Sequence, residues 1–219
     1  MKYFDRIIVL STTPFRDKSL VLHCLSSRDG RCALLVRNAV GAKAFLQPLA
    51  VLECEVSQPL RSSMKCAKDF SNCLPLNGIR RFQGKNAISM FISEVLFRSL
   101  QEGTLEEGLF DWCESQIMLL NGLEKDYANF HIRFLLDYAA ALGFKASEES
   151  LLPFAEDSAG SAIAFLNSDF AQAMLIPMNG EKRALLCERI LKYLEFHLET
   201  PLNIRSLGIL SELFANFER

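Results

Sequence analysis

Near residue 80 the spacing of apolar residues changes period, and that switch is the strongest constraint on this chain. Upstream, residues 4–10, 20–25, 32–36 and 49–56 are short runs rich in Ile, Val, Leu and Cys. Turn-forming pieces separate them: Thr12-Thr13-Pro14, Arg28-Asp29-Gly30 and Asn38 to Gly41. Glu53 and Glu55 alternate with Leu52, Cys54 and Val56, the pattern of a half-buried strand. Asp29-Gly30 suits a hairpin, because glycine tolerates positive φ. A weaker strand is expected around 64–70. Four or five short antiparallel strands in about 75 residues suit a small barrel, of the oligonucleotide/oligosaccharide-binding (OB) or the SH3-like kind.

Past Gly84 the period becomes helical. Ile88, Phe91, Ile92, Val95, Leu96 and Leu100 share one helix face. Further helices are expected over 105–120, 127–142, 181–198 and 205–217. The helix over 127–142 is apolar nearly all round, which marks it as central, and Gly143 follows as its C-terminal stop. Residues 144–180 read as irregular. The fold class expected is α+β, with an OB barrel over 1–80 and an α-helical domain over 81–219.

Charge follows the same division. Residues 1–80 carry twelve Lys and Arg against six Asp and Glu, a net of +6; the remainder carries twelve against twenty, a net of -8; together these make the total of -2. A basic first part beside an acidic second part points to a polyanionic partner for the first. The opening MKYFDRIIVL has no long apolar core and holds Asp5, so it does not read as a signal peptide. No stretch approaches the roughly 20 apolar residues of a membrane span. The seven cysteines include no C-x-x-C pair and read as small buried hydrophobes in a cytoplasmic protein.

At this point particular segments resemble a known family. RIIVLSTTPFRDKSLVLHCLSSRDGRCALLVRNAVGAKA is similar to the opening hairpins and basic loop of RecO, the bacterial recombination mediator. FLQPLAVLECEV resembles its next strand; KNAISMFISEVLFRSL and NFHIRFLLDYAAALGF resemble its two most recognisable helices; RILKYLEFHL and RSLGILSELF resemble its C-terminal part. NFHIRFLL is most similar to the form in Bacteroides-type bacteria. The resemblance implies an OB barrel followed by a helical domain, and a non-enzymatic repair protein, cytoplasmic and nucleoid-associated. It implies binding to single- and double-stranded DNA, annealing of complementary strands, and, with RecR, loading of RecA onto DNA covered by single-strand-binding protein (SSB), whose acidic, apolar-ended tail is also contacted. Many members carry a four-cysteine zinc module between the third and fourth helices. Residues 144–180 here hold no Cys or His, so tetrahedral zinc ligation has no donors there, and neither metal nor cofactor is expected.

The residues that would carry DNA binding are Arg16, Lys18, Arg28, Arg31, Arg37 and Lys43, which fall in turns or at strand ends and are expected to form one positive surface. Such a surface grips phosphates without regard to sequence and weakens with salt. Phe15 and Phe45 are candidate stacking platforms, though in a chain with 17 phenylalanines each also reads as core. With no Trp in the barrel, backbone contact should dominate, leaving base edges free to pair. Arg133, Lys182, Arg183 and Arg189 could rim a pocket for the SSB tail. His23, His131 and His197 stand in apolar contexts and read as packing residues. Glu106-Glu107 and Glu148-Glu149 read as solvated charges, not an acid/base pair. A protein-interaction scaffold on an OB-like barrel is the alternative, and a nucleic-acid enzyme a third reading that no motif supports.

Overall fold

A computed structural model describes residues 2–59 and 64–217. Its strands are β1 (Lys2–Phe15), β2 (Ser19–Ser26), β3 (Gly30–Val36), β4 (Val51–Ser57) and β5 (Cys66–Asn72). Contacts divide the chain into two compact units: Met1–Asn77 with Ile92–Met118, and Gly78–Phe91 with Leu119–Arg219. Residues 92–118, placed in the helical domain by periodicity alone, therefore group with the barrel.

The strands close in the order β1-β2-β3-β5-β4, with β1 also paired to β4. All pairings are antiparallel except β3 with β5, which is parallel. This five-stranded closed order is that of an OB barrel. β1 makes the closure. Its first half pairs with β4 (Lys2↔Ser57 to Ile8↔Val51) and its second with β2 (Ile7↔Ser26 to Phe15↔Ser19), with a register shift between Val9 and Ser11. Thr12-Thr13-Pro14, expected as a turn, therefore continues the strand. Bulges of this kind bend a strand sharply, as a small barrel requires. The interior is filled by Ile7, Val9, Leu22, Cys24, Leu34, Leu52, Cys54 and Val56, all essentially inaccessible to solvent.

The two ends of the barrel are held differently. At the β2–β3 hairpin, the buried Asp5 carboxylate accepts hydrogen bonds from the hydroxyls of Ser26 (2.6 Å) and Ser27 (3.0 Å), and Ser26 Oγ accepts from the backbone of Arg28 and Asp29. These bonds satisfy a charge that burial would otherwise penalise. At the opposite end, Lys18 O accepts from Ala39 N at 2.8 Å, joining the β1–β2 turn to the 37–50 connection.

The helices are α1 (Asn77–Arg81), α2 (Gln83–Ser99), α3 (Leu109–Gly122), α4 (Phe130–Ala141), α5 (Glu148–Ala155), α6 (Ala159–Leu166), α7 (Phe170–Leu175), α8 (Gly180–Leu198) and α9 (Ser206–Phe217). In the second unit α8 packs on α4, α5 and α9. As expected, α4 is central: Phe130, His131, Ile132, Phe134, Leu135, Leu136, Tyr138 and Ala139 are buried, and Gly143 follows it at φ +93.

Residues 144–180, expected to be irregular, instead hold α5, α6, α7 and the 3₁₀ turn Glu156–Ser158. Short length hid them, since none exceeds eight residues. Their caps are local: Ser147 with Ser150, and Asp169 with Gln172, form reciprocal capping boxes.

Two tests follow from packing. Gly30 sits at φ +65, and a Cβ there would lie 2.0 Å from the Thr104 carbonyl oxygen. Gly30→Ala is expected to destabilise by about 2–4 kcal/mol in a denaturant titration. The second concerns His131, buried between Phe91 and Phe214. Burial first, and the charge of Arg183 second, lower its pKa to about 3 from the ordinary 6.5. The folded chain resists protonating this ring while the unfolded chain accepts the proton. Stability is therefore lost as pH falls from about 6.5 toward about 3, on the order of 2–4 kcal/mol. Against wild type, His131→Phe should flatten that part of a Tm-versus-pH curve; an unchanged acid limb would disprove it.

Candidate nucleic-acid interface

The antiparallel strands sort the basic residues by barrel end. Arg16 and Lys18 lie in the β1–β2 turn, Arg37 directly follows β3, and Lys43 lies in the 37–50 connection, all at one end. All four are exposed, and among the described residues none is in an ion pair. Arg16, Lys18 and Lys43 also line one cavity of about 440 Å³, together with Thr12, Pro14, Asp17, Ser19, Leu20, Ala39, Val40, Leu46 and Gln47. Asp17 is the only acid among these. The result is a concave site with an apolar floor and a cationic rim.

The site is preformed. Val9 N donates to Ala50 O and Leu49 N to Val9 O, both at 2.9 Å, and Lys43 N donates to Ala39 O at 3.0 Å. The two Val9 bonds fix the end of the 37–50 connection to β1, and the Lys43 bond closes a turn within it. Arg16, Asn38 and Leu49 have φ of 56, 52 and 59. Left-handed backbone at a non-glycine residue costs about 1 kcal/mol or more, and such strain gathers at functional sites.

The other two proposed DNA contacts lie elsewhere, so the single surface expected from sequence is divided. Arg28 is at the opposite hairpin, its guanidinium 5.2 Å from the Tyr3 ring centre. Arg31 is turned inward: its side chain is 12% exposed, pairs with Glu102 at 3.1 Å and lies 4.8 Å from the Phe97 ring centre. Four other cations of the barrel, among the described residues, are engaged in ion pairs. Lys2 and Lys68 pair with Glu55, Arg6 with Glu114, and Lys65 with Asp29 at 2.6 Å. Burial works against the charge on Lys65, but its hydrogen bonds to Asp29 and Tyr3 outweigh this and raise its pKa.

The two aromatics also part. Phe45 packs against the barrel core. Phe15 is 41% exposed at the end of β1, with the Arg16 guanidinium 5.2 Å from its ring centre. An exposed ring beside an arginine at a cationic end is a workable stacking surface. Sequence reasoning missed the apolar floor, since Leu20, Ala39 and Leu46 come from two segments that only the barrel brings together.

On the second unit, three of the four residues proposed for the SSB tail are engaged within the fold. Arg183 is 6% exposed; it donates to Asn129 Oδ1 (3.0 Å) and Met178 O (2.7 Å), while Asn129 Nδ2 donates to the carbonyls of Ala173 and Ile176. Arg133 donates to Ser168 O, just past α6, and pairs with Asp137. Arg189 pairs with Glu156 at 2.5 Å. Only Lys182 is exposed and outside any ion pair described here. These bonds tie segment 165–178 to α8 and to the start of α4. Among the described residues, no group of three or more His, Cys, Asp or Glu is placed to hold a metal ion. No helix among them is long and apolar enough to cross a membrane.

Comparison with known proteins agrees with the resemblance read from sequence. Residues 84–150 match the family described as "Recombination protein O C terminal". The chain is similar to the "DNA repair protein RecO" of Flavobacterium psychrophilum, 26% identical over 98% of this chain and 100% of the relative. It is similar to that of Flavobacterium johnsoniae, 27% identical over 98% and 100%, and to that of Bacteroides fragilis, 26% identical over 94% and 97%. Likeness to RecO thus runs nearly end to end and includes Bacteroides members.

The roles of neighbouring arginine and lysine on α8 can be separated. Arg183→Ala removes the donor to the buried Asn129 Oδ1 and to the Met178 carbonyl and should destabilise by about 2–4 kcal/mol in chemical denaturation, whereas Lys182→Ala should stay within about 0.5 kcal/mol of wild type.

Proposed function

We propose that this chain works in DNA repair as a RecO-type recombination mediator, without covalent chemistry. It binds single- and double-stranded DNA, anneals complementary strands and, with RecR, helps RecA load onto SSB-coated DNA. The observation that carries the DNA-binding part is the gathering of Arg16, Lys18, Arg37 and Lys43, exposed and outside ion pairs among the described residues, at one end of an OB barrel. The nearly end-to-end similarity to RecO proteins carries the repair assignment.

The physics of such a surface is simple. Phosphates approach unpaired cations and release condensed counterions, so affinity is sequence-tolerant and salt-dependent. Annealing follows from the same charges: two strands repel through their phosphates, and neutralising some of each lowers that barrier. Arg28, at the far hairpin, offers a second and weaker point of phosphate contact. Arg31 serves the barrel's own packing, and Phe45 its core. SSB-tail contact through the helical unit would rest on Lys182, the exposed cation among Arg133, Lys182, Arg183 and Arg189. The protein works in the cytoplasm, at the nucleoid.

Fluorescence anisotropy with a labelled single strand tests the reading. Affinity should fall steeply as salt rises, with a log–log slope of about -0.7 for each phosphate neutralised. Replacing Arg16, Lys18 and Lys43 together by Ala should make that slope shallower by roughly 2 and leave the far-ultraviolet circular dichroism unchanged. Wild-type protein with no affinity even at low salt would favour the scaffold reading instead.

A further inference from the structure

We infer that the cavity at the β1–β2 end receives one unpaired base of a DNA strand, with the flanking phosphates on Arg16, Lys18 and Lys43. This inference rests on the DNA-binding reading above and deepens it, because it makes the site selective for strands whose bases are free.

The shape comes first. A cationic ridge that grips only phosphates can be flat, but this site is concave, about 440 Å³, within the size range of small-ligand pockets. Its floor is apolar, from Pro14, Leu20, Ala39 and Leu46. The hydroxyls of Thr12 and Ser19 and the Gln47 amide stand among these groups. A nucleobase has this composition: an apolar face with polar edges, attached to an anionic chain. Charge complementarity then selects the occupant, since three cations unpaired among the described residues surround one acid, Asp17.

Rigidity is the second argument. The 37–50 wall is hydrogen-bonded to β1 at Val9 and to the β1–β2 turn at Lys18. Left-handed backbone at Arg16, Asn38 and Leu49 shapes both walls. A pocket held in place before binding loses little freedom when a base enters. In a duplex the bases are paired and stacked, so insertion requires a base to leave the stack; a single strand meets no such barrier. Phe15, exposed beside Arg16, offers the next base a surface to stack on. Phosphate contact alone, as barrel composition suggests, would not need the apolar floor.

The test compares two strands of equal charge on the full chain. One is an oligothymidine of about 12 nucleotides, a length one OB barrel spans; the other has the same backbone with abasic spacers throughout. The abasic strand should bind about tenfold more weakly or worse. A 4-thiothymidine strand, irradiated in the near ultraviolet, should crosslink to residues 12–20 or 39–47. Equal affinity for both strands, or crosslinks confined to other segments, overturns the base pocket while DNA binding through phosphates stands. If neither strand binds at low salt, and an acidic phenylalanine-ended peptide binds instead, both the pocket and the DNA-binding reading fall.

Discussion

Everything at the candidate site depends on β1 being long enough to serve two neighbours. Its fourteen residues pair with β4 along the first half and with β2 along the second, and the shift between Val9 and Ser11 turns one sheet face into the other. Were β1 to stop near Leu10, the pairs from Ser11↔His23 to Phe15↔Ser19 would be lost. The β1–β2 turn would then no longer lie beside the 37–50 connection. The cavity and three of its cations exist because that ladder is complete.

Charge in the first unit is used in two ways, and geometry decides which. Cations along the strands or beside the far hairpin meet acids: Lys2 and Lys68 at Glu55, Lys65 at Asp29, Arg31 at Glu102. Exposed pairs of this sort contribute little to stability but cancel charge that a polyanion would otherwise meet. Cations in the turn and connection at the other end have no acid opposite them among the described residues, apart from Asp17. Among the described residues, the barrel cations left outside ion pairs thereby gather mostly at one end, with Arg28 at the other.

The second unit shows how a segment is held by side-chain hydrogen bonds to its carbonyls. Asn129, itself buried, donates to two carbonyls of the 173–176 stretch and accepts from Arg183, and Arg133 binds the carbonyl of Ser168. Hydrogen bonds from charged donors to otherwise orphaned carbonyls are among the stronger polar contacts in a protein interior. The arginines that looked like a rim for a partner are, for the most part, the struts of this arrangement.

Much of the fold was legible from residues alone, because burial imposes a period. The alternation at Glu53 and Glu55, the helix face from Ile88 to Leu100, the turn at Gly30 and the stop at Gly143 are local, and a single chain records them. Convergence of cations from separate turns was an expectation for six residues on one surface, and the strands instead divide them, with four at one barrel end and Arg28 and Arg31 elsewhere. What sequence could not settle was non-local. Whether Arg31 faces a phosphate or Glu102 depends on a residue 71 positions away. Whether Leu20, Ala39 and Leu46 are ordinary core or the floor of a cavity depends on how the 37–50 connection folds back. Composition sets which charges and apolar groups exist; only tertiary packing decides which of them remain unsatisfied and face solvent, and binding is built from those.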